Sequence, residues 1–371
     1  MTAFGCFPNT VKFYFFVDTI KAPTAGALIF DGLSGRLNIN NPYQHYEILQ
    51  AYFYKMKKIF ILSLAAFFSF SGFSQTVGKY KYVDEKVQQF GALSTFNVAT
   101  IADTITAGFS DPEEKARAIF YWITNNISID PKGTRQNDPK NTLPEKVIEL
   151  RKATPLGYSL LVQEMCSDAG IRCISVDGYI KRSAAEINEP ADGINHSWNV
   201  IQLGKSPETW YFTDASRGAG FTDKKMSVFN KEFTSGFFFA DRKLFNLASF
   251  PDNSAWQLGG GIKSLKDFYI LPIIGNYSFD LGLNKPIPAL GFIKTKLQKA
   301  VSFSFNTSRE IKSITIVTGE DKKQSKPETV IFENTNGTVS FNYSFKKEDT
   351  FPFKVMADGK IILEYLVEVN E

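Results

Sequence analysis

A chain of 371 residues has room for two ordinary domains, and 43% hydrophobic with 22% charged residues places it among folded proteins rather than disordered ones. The net charge of +4 mixes both signs with no basic block, which excludes the electrostatic footprint of a nucleic-acid binder. Two histidines and three cysteines leave almost no room for a zinc site of three or four His/Cys ligands, and no cofactor is expected.

The first segment with a strong signature starts at Met56 and reads MKKIFILSLAAFFSFSGFSQ. Lys57 and Lys58 form a positive start, Ile59 to Phe70 an apolar stretch, and Gly72 and Ser74 a small-x-small cleavage signal. The stretch falls short of the roughly 20 residues that span a bilayer. Residues 56–74 are therefore read as a signal peptide, 1–55 as an upstream extension translated from a wrong start, and Gln75 as the mature N-terminus. Export to the periplasm or the outside follows, with no stable membrane span and an oxidising compartment. Cys6 is then lost, leaving Cys166 and Cys173.

Gln75 to about Phe109 is mostly helical in pattern. Asp111, Pro112 and Glu114 next supply a cap, a first-turn proline and a capping box, and Ala116, Ile119, Ile123 and Ile127 recur at helical spacing beside Trp122. Asp130 to Asn141 is rich in Pro, Asn, Asp and Lys and reads as a loop. A short helix is predicted over Pro144 to Leu150 and a longer one from Pro155 to Ala169, stopped by Gly170. Strands follow at Ile171 to Ile180, His196 to Leu203 and Thr209 to Asp214, the last two joined by a hairpin turn over Gly204 to Pro207. After the glycine run Gly259 to Gly261 the hydrophobic period changes to two. Val301, Phe303 and Phe305 alternate with polar residues, as do Val339, Phe341, Tyr343 and Phe345. Asn336-Gly337 and Asp358-Gly359 are hairpin signals, so the last third of the chain reads as an antiparallel β-sandwich.

In a hairpin centred near Lys205, His196 and Asp214 lie opposite each other, and cross-strand neighbours have Cβ atoms roughly 4.5–5.5 Å apart. That spacing suits a carboxylate that accepts a hydrogen bond from an imidazole and fixes its tautomer. A solvated histidine beside a turn aspartate produces the same pattern. The flanking HSWN and WYFTDAS favour the paired reading.

The segment from Asp111 to about Gly220 resembles the transglutaminase-like superfamily, a papain-related fold. DPEEKARAIFYWITNNISID is similar to its leading helix, GYSLLVQEMCSDAGIRCISVDGYIK to its nucleophile helix and following strand, and HSWNVIQL with WYFTDASRGAG to its His and Asp strands. FPDNSAWQL, Phe250 to Leu258, is similar to the segment that follows this domain in the kyphoscoliosis-peptidase-like branch, where a β-domain commonly comes next. The resemblance implies a Cys-His-Asp triad. His196 and Asp214 match its last two members. The cysteine belongs two residues before a Gly-Tyr pair at the start of the nucleophile helix; here the pair is Gly157-Tyr158 and that residue is Pro155. Trp198, Thr154 and Tyr158 are the candidates for the cleft lining, although Trp198, like Trp122 and Trp210, is read first as a core aromatic.

A thiol at a helix N-terminus is activated by the helix dipole and a nearby imidazole, whereas a proline there keeps the helix start and removes the chemistry. Cys166 lies roughly 16 Å further along the helix at 1.5 Å per residue, out of reach of His196. Cys173, on the next strand, reads with Cys166 as a small buried hydrophobe; a bridge between them is compatible with an oxidising compartment but demands particular geometry. Thr154 and Ser159 are the nearby hydroxyls.

The expectation is an α+β protein, with a papain-like transglutaminase-like domain over 75–258 and an antiparallel β-sandwich over 259–371. The expected function is that of an exported, non-catalytic pseudoenzyme that holds a polypeptide or cell-wall-associated ligand in the old cleft. The rival is an active peptidase or protein acyl-transferase that uses His196 and Asp214 with an unrecognised nucleophile. A third class is a structural module whose β-sandwich makes the contacts.

Overall fold

The computed structural model describes residues 78–371 apart from 137, 224, 321 and 322; the upstream extension, the signal segment and Gln75 lie outside the described residues. The helical pattern before residue 110 resolves into two helices, Lys81–Gln88 and Val98–Thr106, the second capped by Asn97 Oδ1 accepting from Thr100 N–H at 2.8 Å. The helix Pro112–Asn126 follows, with Asp111 accepting from Glu113 N–H at 2.9 Å. The expected capping box through Glu114 gives way to this simpler cap, and the Glu113 carboxylate turns outward to Tyr80 Oη at 2.5 Å. Ala116, Ile119, Phe120 and Ile123 bury one side of this helix. Arg117, 1% exposed, donates to both oxygens of Asp84 at 2.7 Å and sits over the rings of Tyr80, Phe120, Phe233 and Phe238. A fully desolvated guanidinium is tolerated there because the carboxylate and the ring faces surround it.

The site is carried by a helix and a five-stranded sheet. The helix Pro155–Asp168 is capped by Thr154 Oγ1, which accepts from Gly157 N–H at 3.2 Å, and ends at Gly170 in a left-handed turn with φ +73°. The sheet runs Phe238–Ala240, Trp210–Thr213, His196–Gln202, Arg172–Tyr179, Phe250–Pro251, all antiparallel. Asn199, from the middle of the His196 strand, donates to Ser159 O at 2.9 Å and so ties the strand to the helix. Gly178 is required where the sheet is crowded: a Cβ there would stand 2.3 Å from Phe250 O and 2.5 Å from the Trp198 ring.

Downstream, two sheets face each other. One holds Ile273–Ile274, Lys360–Asn370, Asp349–Ala357, Ile314–Thr318 and Glu328–Val330; the other holds Asn284–Ile287, Ala300–Asn306, Thr338–Ser344 and Glu333–Thr335. Phe303 stacks on Phe341 and Phe353 and meets Tyr365 edge-on at 5.6 Å between them. Both hairpin dipeptides turn as read, with positive φ at Asn336, Gly337, Asp358 and Gly359. One departure from a purely antiparallel region is Phe292–Lys296, which runs parallel to Lys360–Asn370.

The segment expected as a loop over 130–141 instead contains a short helix, Pro131–Gln136, and a 3₁₀ turn, Pro139–Thr142. Asp130 nucleates the helix: its Oδ1 accepts from Gly133 N–H at 3.0 Å, and its carbonyl accepts from Thr134 Oγ1 at 2.7 Å. No helix among the described residues is long and apolar enough to cross a membrane.

Candidate functional site

His196 opens its strand and is 4% exposed; Asp214 is 1% exposed, and His196 Nε2 lies 2.7 Å from Asp214 Oδ2. The register that brings them together differs from the predicted one. Asn199 pairs with Thr213 and Gln202 with Trp210, so the hairpin is centred on Ser206 rather than Lys205. The 3₁₀ turn Pro207–Thr209 causes this shift, with Leu203 N–H closing onto Thr209 O at 2.9 Å. Asp214 therefore stands just past its strand, as the cap of the short helix Ala215–Ala219, and meets His196 off the direct cross-strand position.

The cap divides the carboxylate between two tasks. Oδ1 accepts from Arg217 N–H at 3.0 Å and from Ser216 Oγ at 2.8 Å, which leaves Oδ2 for His196. Burial alone would raise the Asp214 carboxyl; the His196 ring and Arg217 outweigh it and hold the group below its ordinary value. An ionised carboxylate only accepts, so the His196 Nε2 carries the proton, and Nδ1 is the ring position left for something else. Ser216 and Arg217 were not anticipated as part of this site. The sequence signal for them is the D-A-S-R run, because an aspartate cap takes its bonds from the two or three residues that follow.

A cleft of about 690 Å³ opens beside the pair, with His196, Pro155, Ser216 and Arg217 in its walls. Its far side is built from the downstream sheets, by Ile274, Lys354, Ile361 and Glu364 among others. Arg217 crosses this junction. Its Nε and Nη2 donate to Asn276 Oδ1 at 3.2 and 3.1 Å, Nη2 also reaches Ile274 O at 3.3 Å, and the guanidinium lies over Phe237 at 4.6 Å. Burial pushes Arg217 down to about 10, with Asp214 working against that shift.

The three candidates for the cleft lining are turned into the protein, Trp198 in keeping with its reading as a core aromatic. Thr154 spends its hydroxyl on the helix cap and is 6% exposed. Tyr158, 1% exposed, donates to Ile127 O at 2.6 Å, and burial and then the Asp214 charge raise its hydroxyl well above the ordinary range. Trp198, 1% exposed, packs on Phe245 at 5.6 Å and stacks against the inner side of His196 at 6.3 Å. Large amphipathic rings next to a site are drawn to the core when a neighbouring helix offers aromatic partners, and Phe245 on Arg242–Ala248 does so here.

Hydroxyls and thiols are engaged elsewhere. Ser159 Oγ donates to Leu156 O at 3.0 Å and shares a hydrogen bond with Ser175 Oγ at 2.7 Å. Cys166 is fully buried, and Cys173, whose thiol is raised by burial and by its contact with Cys166, accepts from Asn199 Nδ2 at 3.4 Å. Both cysteines are free. Among the described residues, no group of three or more His, Cys, Asp or Glu is placed to hold a metal ion.

Comparison with known proteins identifies the domain that carries this site. Residues 99–215 match the family model described as the transglutaminase-like superfamily. The kyphoscoliosis peptidase of Mus musculus is 28% identical over 222 residues, 60% of this chain and 33% of its own length. The Lim and transglutaminase domain protein ltd-1 of Caenorhabditis elegans is 24% identical over 241 residues, 61% of this chain and 31% of its own length. A crystal structure described as that of a TGase aligns over 47% of this chain and 40% of its own, at 16% identity and a TM-score of 0.26. The chain thus carries a transglutaminase-like domain with distant homology to kyphoscoliosis peptidase, and spans about a third of the length of these curated relatives.

Proposed function

We propose that this chain is an exported, non-catalytic member of the transglutaminase-like group, and that the cleft beside His196 and Asp214 holds a polypeptide or wall-associated ligand. The observation that carries the reading is Pro155. It stands at the first position of the helix Pro155–Asp168 and lines the same cleft as His196, where the family resemblance places a cysteine. A triad without its nucleophile keeps only what binding and oxyanion contacts supply, a loss of several orders of magnitude in rate. The neighbouring hydroxyls of Thr154 and Ser159 are committed to a cap and to the Ser175 contact, which speaks against either as a replacement.

The test is the reverse substitution. Pro155→Cys puts a thiol at a helix start facing an imidazole whose other nitrogen is already held. Its thiolate should form below the free-cysteine value of about 8.5. Iodoacetamide near neutral pH should label it faster than Cys166 or Cys173, and adding His196→Ala should slow that labelling. A thiol that reacts like an ordinary exposed one means the site has lost more than its nucleophile. If the unaltered protein cleaves or cross-links peptides in a His196-dependent way, it is an active peptidase or acyl-transferase and the non-catalytic reading is wrong.

Export rests on the apolar stretch Ile59 to Phe70 behind Lys57 and Lys58. N-terminal sequencing of protein recovered from its native host should begin at Gln75. A chain that still carries residues before Met56 overturns this part of the reading.

A further inference from the structure

The far wall of the cleft contains a lysine, Lys354, set into the wall beside its cross-strand partner Glu364. Phe353, Val355 and Tyr365 point between the two downstream sheets, and strand alternation turns Lys354 and Glu364, which are direct cross-strand partners, to the opposite face. That face is covered by the transglutaminase-like domain, so Lys354 is only 7% exposed and lines the cleft. A lysine this buried is almost always paired. Lys354 makes no hydrogen bond or ion pair among the described residues, and Glu364 directs Oε1 to Ala184 N–H at 3.1 Å.

The other charges of the cleft are committed. Lys360 pairs with Glu232 at 2.7 Å, Lys181 donates to Phe268 O at 2.5 Å, and Arg217 is held by Asn276 and Ile274. Asp223 accepts from the backbone of Ser227 and Val228. Among the described residues the walls carry six basic side chains against four carboxylates, and with the Lys181 amine lowered to about 7 by burial the cleft still keeps a small positive excess. Lys354 reaches this concave site without a hydrogen-bond acceptor of its own, and a concave site of this sign draws an anion from outside.

We propose that the cleft selects an acidic polypeptide segment and that Lys354 pairs with a carboxylate of that segment. This rests on the reading of the cleft as a polypeptide site and names its ligand class. The cleft volume of about 690 Å³ admits one or a few side chains, so the specificity is for a local acidic motif.

Three labelled ten-residue probes test it by fluorescence anisotropy at low and moderate salt: alternating Glu-Gly, Gln-Gly and Lys-Gly peptides. The Glu-Gly peptide should bind at least tenfold more tightly than the other two. Lys354→Met, which keeps the length of the side chain, should remove that preference. Glu364→Gln should tighten binding of the Glu-Gly peptide severalfold. If one of the peptides binds but the Glu-Gly peptide has no advantage, or if Lys354→Met keeps its advantage, the acidic selection is wrong and the polypeptide cleft stands. If none of the three binds, both fall.

Discussion

Three buried groups around the cleft show how position decides the charge state of a side chain. Asp214 is more buried than most carboxylates but is surrounded by donors, and stays ionised. Arg217 is buried among rings and amide oxygens, and keeps its charge at neutral pH although its value falls to about 10. Lys181 has the carbonyl and the ring of Phe268 and the ring of Tyr269, with Glu186 as a more distant carboxylate, and burial lowers its amine to about 7. A lysine lowered in the folded state loses its proton there first. Between about 7 and the ordinary lysine value near 10.4, the unfolded chain binds the extra proton, so stability gains with rising pH across that window and is lowest below it. Urea unfolding of the natural chain and of Lys181→Met at pH 6.5, 8 and 9.5 isolates this contribution. The natural chain should gain on the order of 3 kcal/mol relative to the variant from the lowest to the highest pH. Two parallel pH profiles would mean that the Lys181 amine keeps its proton after folding.

At the scale of elements, local rules were readable and distant pairings were not. The helix Pro155–Asp168 was legible because Thr154, Pro155 and Gly170 punctuate it within its own sequence. The hairpins at Asn336-Gly337 and Asp358-Gly359 were legible for the same reason, since those dipeptides accept the positive φ that the turns require. The pairing of His196 with Asp214 was visible in the motif but not in the register: the 3₁₀ turn Pro207–Thr209 adds a step that periodicity cannot reveal. The helix Pro131–Gln136 was hidden by its polar composition and by Gly133, because its start depends on a side-chain bond from Asp130 rather than on an apolar stripe. Phe292–Lys296 pairs in parallel with a strand from the far end of the chain, and the alternation of either strand is silent about its neighbour. The cleft suffered most. One wall comes from Pro155 and His196, the other from Lys354 and Glu364, and only the folded chain makes these residues neighbours.

Over the whole molecule, the two walls of the cleft are held by a polar joint and a shared apolar core. Residues from Ile119 and Trp198 through Phe237, Phe279 and Ile274 to Val355 and Tyr365 belong to one continuous buried cluster. Across the junction, Asn276 is the hub. Its Oδ1 accepts from Arg217 Nε and Nη2, and its Nδ2 donates to Arg217 O at 3.2 Å and Gly220 O at 3.4 Å. Ser278 Oγ donates to Ile362 O at 2.7 Å close by. A continuous core joined this way should unfold as one cooperative unit, so calorimetry should give a single transition. Asn276→Ala deprives a buried guanidinium of its side-chain acceptor and leaves it only Ile274 O. A hydrogen bond to a charged group contributes about 1.5–3 kcal/mol, so in a single cooperative unit of this size the midpoint should fall by about 2–5 °C with the single transition retained. Lys347→Ala, which breaks an exposed pair with Asp349, should leave the midpoint nearly unmoved and serves as the control. Two separate transitions in the unaltered protein, only the later part of the chain responding to Asn276→Ala, would mean that the β-sheets fold independently. The far wall of the cleft would then be free to swing away from His196, and Lys354 would no longer be held where an incoming carboxylate could meet it.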